Sequence, residues 1–305
     1  MKRLVGISTG VLQLSYGDKK SLEIAAKIGA DSVDFDLSGS PECYSGKEGS
    51  LYSKGEDAVI EYYTDLKNYA DKLGIIIGQT HSKTPGFKNI KEQDDRLVKD
   101  IGLDCLATSV LGASVTVLHN ATSIYMGADP DPELMHSLSY GLFSRTIPFA
   151  KKYGIKIATE TFGDAVQYNA CDFFGKIDEF EKAYKTIKSV DEFKDNFTVC
   201  VDTGHSNKAM RFGNPKPGDV IRRIGSDISV LHLNDNDTLT DQHKIPMTGT
   251  IDWNDVFNAL DEVGYSGIYN MELELRHFGN GFMVETAEFA VKLMRYILKE
   301  RYGEQ

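Results

Sequence analysis

Five of the seven histidines in this chain, His81, His119, His205, His232 and His243, fall at or just beyond the ends of short apolar runs. Glu160, Asp202 and Glu272 occupy the same kind of position. Imidazoles mixed with carboxylates, with no cysteine among them, form a ligand set for Zn2+, Mn2+, Co2+ or Fe2+. Each residue alone has a plainer reading. A strand-end histidine such as His81 can be a hydrogen-bonded structural group. Glu160, between Thr159 and Thr161, could cap the helix that follows. Asp202 in Val201-Asp202-Thr203-Gly204-His205 could start a turn, and Asp241-Gln242-His243 lies in a polar loop. Three carboxylates converging with several imidazoles would nevertheless crowd like charges in a partly desolvated place, and a bound cation removes that cost.

For these residues to meet, the elements before them must point to one place. Glycine follows the last apolar residue of a helical pattern in Ile28-Gly29, Leu73-Gly74, Leu111-Gly112, Tyr153-Gly154, Ile224-Gly225 and Val263-Gly264. Each pair marks a helix stop in the left-handed C-cap geometry, with a strand to come. The helix before Gly74 carries Val59, Tyr62, Tyr63, Leu66, Tyr69, Ala70 and Leu73 at three- and four-residue steps, which predicts one inward face. Eight apolar, β-rich runs are expected as strands: Leu4–Ile7, Ser32–Phe35, Ile75–Ile77, Val115–Leu118, Ile155–Ala158, Phe197–Val201, Ile228–Leu233 and Ile268–Leu273. Their ends recur about every 38 residues, as eight strand-helix units of a (β/α)8 TIM barrel would. No Pro/Ser-rich linker interrupts them, so residues 1–305 read as one domain. In that fold the C-terminal ends of the strands build the active site, which is where the histidines and carboxylates lie.

Composition narrows the class. With 41% hydrophobic and 26% charged residues the chain is expected to be globular, and its apolar stretches are too short for a membrane span. The residues after Lys2 and Arg3 are broken by Gly6, Ser8 and Thr9, so no secretory core is present and a cytoplasmic protein is expected. Cys43, Cys105, Cys171 and Cys200 are far apart and read as reduced core thiols. A net charge of −11 argues against a sequence-independent hold on nucleic acid. Neither a Gly-x-Gly-x-x-Gly or P-loop pattern nor a Gly-x-Ser-x-Gly elbow occurs, so nucleotide cofactors and a serine nucleophile have no support. Asp252 before Trp253 fits a helix N-cap, the tryptophan a packed residue, and His136 a surface helix position; His277 lies in the loop after the eighth strand. The loop from Ser38 to Lys54 is either a lid over the barrel mouth or a mobile excursion.

His232-Leu233-Asn234-Asp235-Asn236-Asp237, Asp241-Gln242-His243, Gly249-Thr250-Ile251-Asp252-Trp253, Gly264-Tyr265-Ser266-Gly267 and Glu272, with Glu160 and Asp202-Thr203-Gly204-His205, resemble the xylose isomerase-like TIM barrels. That superfamily holds sugar and sugar-phosphate isomerases and epimerases, inosose dehydratases and endonuclease IV DNA-repair enzymes. The resemblance implies that Glu160, Asp202, His232 and Glu272 hold one divalent ion, Mn2+ or Zn2+ with Co2+ or Mg2+ as alternatives. It implies further that Glu160 and Glu272 are the acid/base pair and that His205 contacts substrate; His81, His119 and His243 join it as substrate-binding candidates. An ion chelating two sugar oxygens acidifies the C–H between them, and a carboxylate moves the proton through an enediolate. The expected partner is a small sugar or sugar phosphate, and a homo-oligomer is compatible with the family.

A second branch competes. His81, His119, Glu160, Asp202, His205, His232, Asp241, His243 and Glu272 also match in type all nine ligands of the trinuclear zinc site of endonuclease IV, whose metals activate water against a phosphodiester. The acidic balance, the short His232-to-Asp241 loop and the lack of basic, aromatic-studded loops oppose DNA repair. Two departures affect the sugar branch. Pro246-Met247-Thr248-Gly249-Thr250 lacks the usual Gly-x-Gly, and His243 stands where ketose 3-epimerases carry a substrate-gripping arginine, which leaves a related isomerase or dehydratase open. A metal-stabilised binding protein without turnover would be expected to lack Glu160 or Glu272; both are present.

Overall fold

The structure, a computed structural model, describes residues 3–303. Eight parallel strands form one sheet: β1 (Val5–Ser8), β2 (Ser32–Asp36), β3 (Ile76–His81), β4 (Val115–Leu118), β5 (Lys156–Glu160), β6 (Phe197–Asp202), β7 (Ile228–His232) and β8 (Tyr269–Met271). Neighbours in sequence pair in order, β8 also pairs with β1, and the ring closes at a single bridge between Leu233 and Met271. Helices return the chain between strands, as parallel pairing requires. They are α1 (Gly10–Tyr16), α2 (Asp18–Lys27), α3 (Glu56–Leu73), α4 (Lys91–Val110), α5 (Ser123–Met126), α6 (Pro132–Tyr153), α7 (Ile177–Lys188), α8 (Thr203–Ala209), α9 (Pro217–Ile224), α10 (Trp253–Glu262) and α11 (Met283–Tyr302). This is the expected (β/α)8 barrel.

The strand period of two decides which side chains fill the barrel. Ala158, Cys200 and Val230 cluster with Val115 and Val117 in a small apolar core. Glu160, Asp202 and His232 lie two residues further along the same strands and therefore face the same way, as a polar layer above that core. A much larger apolar cluster lies between sheet and helices. In α3 the inward face is Val59, Tyr63, Leu66 and Ala70, while Tyr62 is exposed. Gly74 and Gly154 cap α3 and α6 in the left-handed conformation; Gly225 also has positive φ but an extended ψ, so α9 ends differently from the expectation.

β3 runs four residues beyond its expected end at Ile77. Its polar residues find partners inside the sheet: Gln79 donates to Asp34, and the Thr80 hydroxyl bonds those of Thr108 and Thr116. A Cβ at Gly78 would come within 2.3 Å of Ile268 Cδ1, so glycine is there for close packing, not for a turn. The 38–54 segment is pinned. Ser45 N–H donates to Asp100, Tyr52 OH donates to Asp104, and Cys43 and Tyr52 are buried. A small antiparallel hairpin that the strand pattern did not predict pairs Asp164–Ala165 with Ala170–Cys171. All four cysteines are free and buried. Among the described residues no helix is long and apolar enough to cross a membrane. Asp252 caps α10, and Trp253 is buried with its indole N–H donating to Asp235. His136 is partly buried and pairs with Glu179 at 2.7 Å; His277 Nε2 donates to the Gln242 carbonyl at 2.6 Å.

Candidate metal centre and active site

Ligand atoms of Glu160, Asp202, His232 and Glu272 all lie within 4.8 Å of one another. The first three end β5, β6 and β7, and Glu272 follows β8 directly. Four further groups meet the same distance condition: His81 and His119 with Glu160, His205 with Asp241 and His243, His81 with His232 and Glu272, and Cys200 with Glu160 and His232. All nine residues singled out in the sequence thus come to one mouth. Asp202 takes the turn role considered for it and also faces the ligand group. One carboxylate oxygen accepts the His205 backbone N–H at 2.6 Å and so caps α8, which sets His205 one turn into the helix; the other accepts Asn234 Nδ2 at 2.7 Å.

The imidazoles are oriented from behind. Nδ1 of His81 lies 2.9 Å from the Ser82 carbonyl, that of His205 3.0 Å from the Thr161 carbonyl, and that of His243 3.3 Å from the Glu272 carbonyl. A carbonyl only accepts, so each Nδ1 carries the proton and each Nε2 faces the carboxylates. Their Nε2 atoms lie 3.4–3.5 Å from Glu160 or Asp241. His232 is turned the other way. Its Nε2 is 2.8 Å from the buried carboxylate of Asp34, and its Nδ1 points to Glu160 at 2.9 Å and Glu272 at 3.4 Å. A carboxylate behind a histidine whose other nitrogen faces other acids is the arrangement that orients metal-bound imidazole.

Electrostatics carry the same message. Burial would raise the carboxyls of Glu160 and Glu272, yet the surrounding imidazoles bring both below the usual range, Glu160 well below it. Burial, with Glu160 beside it, pushes Asp202 up. Burial opposes charge on His81 and His243, but Glu160 beside the one and Asp241 and Glu272 beside the other push each up to about 9. Against the same opposition His205 is raised well above its usual value by Asp202 and Asp241, and His232 by Cys200, Glu272 and Glu160, while burial wins at His119 and lowers it. The acids are thus neutralised by protons that a divalent cation would displace. Glu160 Oε2 fits such an ion. It is buried, 2.7 Å from His119 Nε2, and makes no hydrogen bond of good geometry.

Over this layer opens a cleft of about 420 Å³ lined by His81, His119, His205, Asp241, His243 and Glu272 among others. Glu160, Asp202 and His232 form the floor, each no more than 1% exposed. Ser38 and Gly39 are the parts of the 38–54 segment that line the cleft. A cleft of about 470 Å³ at the opposite end, lined by Ser114, Gly154, Asn196, Gly225 and Gly264 among others, has no histidine or cysteine, and lies at the strand starts.

Asp34, Gln79 and Lys208 were not singled out in the sequence, and Asn234 only as part of the run that carries the resemblance; each contacts a candidate site residue. Asp34 left a signal: a charged residue between Val33 and Phe35, in a run read as buried on both faces. Such an acid must be paired. Met247, at φ 71°, holds a left-handed position inside the segment that lacks the expected Gly-x-Gly.

Residues 22–297 match the xylose isomerase-like TIM barrel family. Inosose isomerase of Bacillus subtilis is 29% identical over 150 residues, a match that spans 47% of each protein. Among solved structures, an IolI protein with a bound zinc atom superposes with a TM-score of 0.71 at 18% identity, covering 97% of each chain. D-psicose 3-epimerase in the presence of D-fructose gives a TM-score of 0.70 at 16% identity, covering 97% of this chain and 99% of that one.

Proposed function

The chain belongs to the xylose isomerase-like TIM barrel family, and we propose that it is a divalent-metal-dependent isomerase or epimerase of a small sugar or sugar phosphate. The observation that carries this is the meeting of Glu160, Asp202, His232 and Glu272 beneath an imidazole-rimmed cleft. Two glutamates, a helix-capping aspartate and a carboxylate-backed histidine suit Mn2+ or Zn2+. A bound ion supplies chelation of two neighbouring substrate oxygens and acidifies the C–H between them. Glu272, which lines the cleft, is placed to take that proton; Glu160, held ionised by His232 and His119, is its counterpart from the floor. His205, His243, His81 and His119 present Nε2 atoms that grip hydroxyls. The likeness to an inosose isomerase and to sugar epimerases supports the substrate class. We read 1–305 as one catalytic unit and, from four buried free thiols, place it in a reducing compartment such as the cytoplasm.

The test is elemental analysis after growth with Mn2+ or Zn2+, followed by assay of ketoses, inososes and their phosphates. A metal-loaded protein that interconverts one of them is expected, with Glu272→Gln inactive; a chain that takes up no ion refutes the proposal. Three of the adjoining ligand groups, Glu160 with Asp202, His232 and Glu272, His81 with His119 and Glu160, and His205 with Asp241 and His243, give a second reading as a trinuclear phosphodiesterase. It predicts three ions per chain and cleavage of an abasic-site oligonucleotide.

A further inference from the structure

Lys208 is an ammonium buried beside the site with its side chain 3% exposed. Its Nζ lies 2.6 Å from Asp164 Oδ1, while Arg211 takes the other oxygen of Asp164 at 2.8 Å. Asp164 is therefore shared between two cations. The Lys208 charge has a second neighbour, Asp241 Oδ1, at 3.6 Å. The other oxygen of Asp241 faces Nε2 of His205 at 3.5 Å and of His243 at 3.4 Å. A positive charge thus already sits one carboxylate away from the point where His205, Asp241 and His243 would hold an ion. The inner groups differ. Among the described residues, no lysine or arginine pairs with Glu160, Asp202 or Glu272; their close ionic partners are imidazoles.

We infer that Lys208 does the work of an outer cation. It compensates Asp241 and repels a metal ion from the outer group, leaving His205, Asp241 and His243 free to bind substrate hydroxyls. This deepens the metal-dependent reading above and rests on it. The physical reason is that like charges at this separation, in a partly water-excluded site, are weakly screened. Lys208 follows His205 by three residues in α8, so one turn of helix presents both the grip and the charge that keeps it metal-free.

The test is metal stoichiometry at saturation, by dialysis against Zn2+ and elemental analysis, with titration calorimetry for the affinity of the last ion. Lys208→Gln keeps a hydrogen-bond donor for Asp164 and removes the charge. It should bind one more ion per chain than the wild type, or bind its outermost ion at least tenfold more tightly. Adding His243→Ala should remove that gain, and Lys208→Arg should behave as the wild type. Equal stoichiometry and affinity in wild type and Lys208→Gln overturn the inference. His243→Ala alone decides the matter even if the Lys208 variants do not fold: it should leave the ion count of the wild type unchanged, and loss of one ion overturns the inference. Failure of the functional reading looks different, because it is the absence of the inner ion from the wild type itself.

Discussion

Replacing Asp34 by asparagine tests whether the group behind His232 sets the strength of the metal site. Asp34 is fully buried and its Oδ2 lies 2.8 Å from His232 Nε2, with Gln79 Nε2 at 3.1 Å. Asparagine keeps the shape and can still accept from His232, so the imidazole stays in place. What is lost is the charge. A hydrogen bond to a charged group is worth about 1.5–3 kcal/mol against about 0.5–1.5 for a neutral one, so the difference is about 1–1.5 kcal/mol. At about 1.4 kcal/mol per tenfold, that weakens metal binding by roughly tenfold. The figure lies at the low end of the roughly 10–100-fold range measured for such supporting groups. Competition with a chromophoric chelator reads the affinity directly, and circular dichroism confirms that the variant is folded. A change of less than about twofold would refute the idea that Asp34 tunes His232, since the charge would then have no measurable partner.

Other expectations can be checked independently. Gly204→Ala would place a Cβ 1.8 Å from Asn234 Oδ1 and displace the residue that holds Asp202; a loss of about 1–3 kcal/mol in urea unfolding and weaker metal binding are expected, and wild-type values for both would count against it. Met247→Gly relieves a left-handed methionine at an exposed turn and should raise stability by up to about 1 kcal/mol, with a fall showing that the turn is unstrained. In the metal-free protein His81 is raised to about 9 from an unfolded value of about 6.5, so its contribution is fully present below about pH 6.5 and is lost as pH rises through about 9. The loss is about 3 kcal/mol. Urea midpoints should therefore fall between pH 6 and 9.5 without metal, whereas metal affinity rises over the same range as imidazoles give up protons. A flat or rising midpoint in the metal-free protein contradicts the assignment.

Much of this arrangement could be read before any coordinates. Strand-helix alternation at a constant spacing led to the barrel because buried parallel strands leave apolar runs and helix ends leave glycines. The convergence of the nine candidate residues was legible because a barrel sends every strand end to one mouth, which makes position along the chain a proxy for position in space. What stayed hidden depends on pairs rather than on period. Thr80 and Gln79 continue β3 because their partners come from α4, β4 and β2, and no local pattern in Gly78-Gln79-Thr80 announces those. Lys208 reads as a solvated helix lysine until Asp164 is seen opposite, brought there by a hairpin too short for a period of two to show. The 38–54 loop looked loose by composition, and it is held by Asp100 and Asp104 on a helix about 50 residues away.

The barrel is closed at its last joint by one bridge, Leu233 to Met271, with Leu233 N–H donating to the Asn270 carbonyl at 2.8 Å. The residues on either side of that joint are His232 and Glu272. A cation held by both would act as a rivet across the thinnest part of the wall, so the group that equips the site for chemistry would also keep the hoop from springing open. Shape and reactivity would then be lost together when the ion leaves. The chain would carry its own safeguard, since a molecule without metal is also one whose wall is easiest to part and whose backbone is first exposed to exchange and proteolysis.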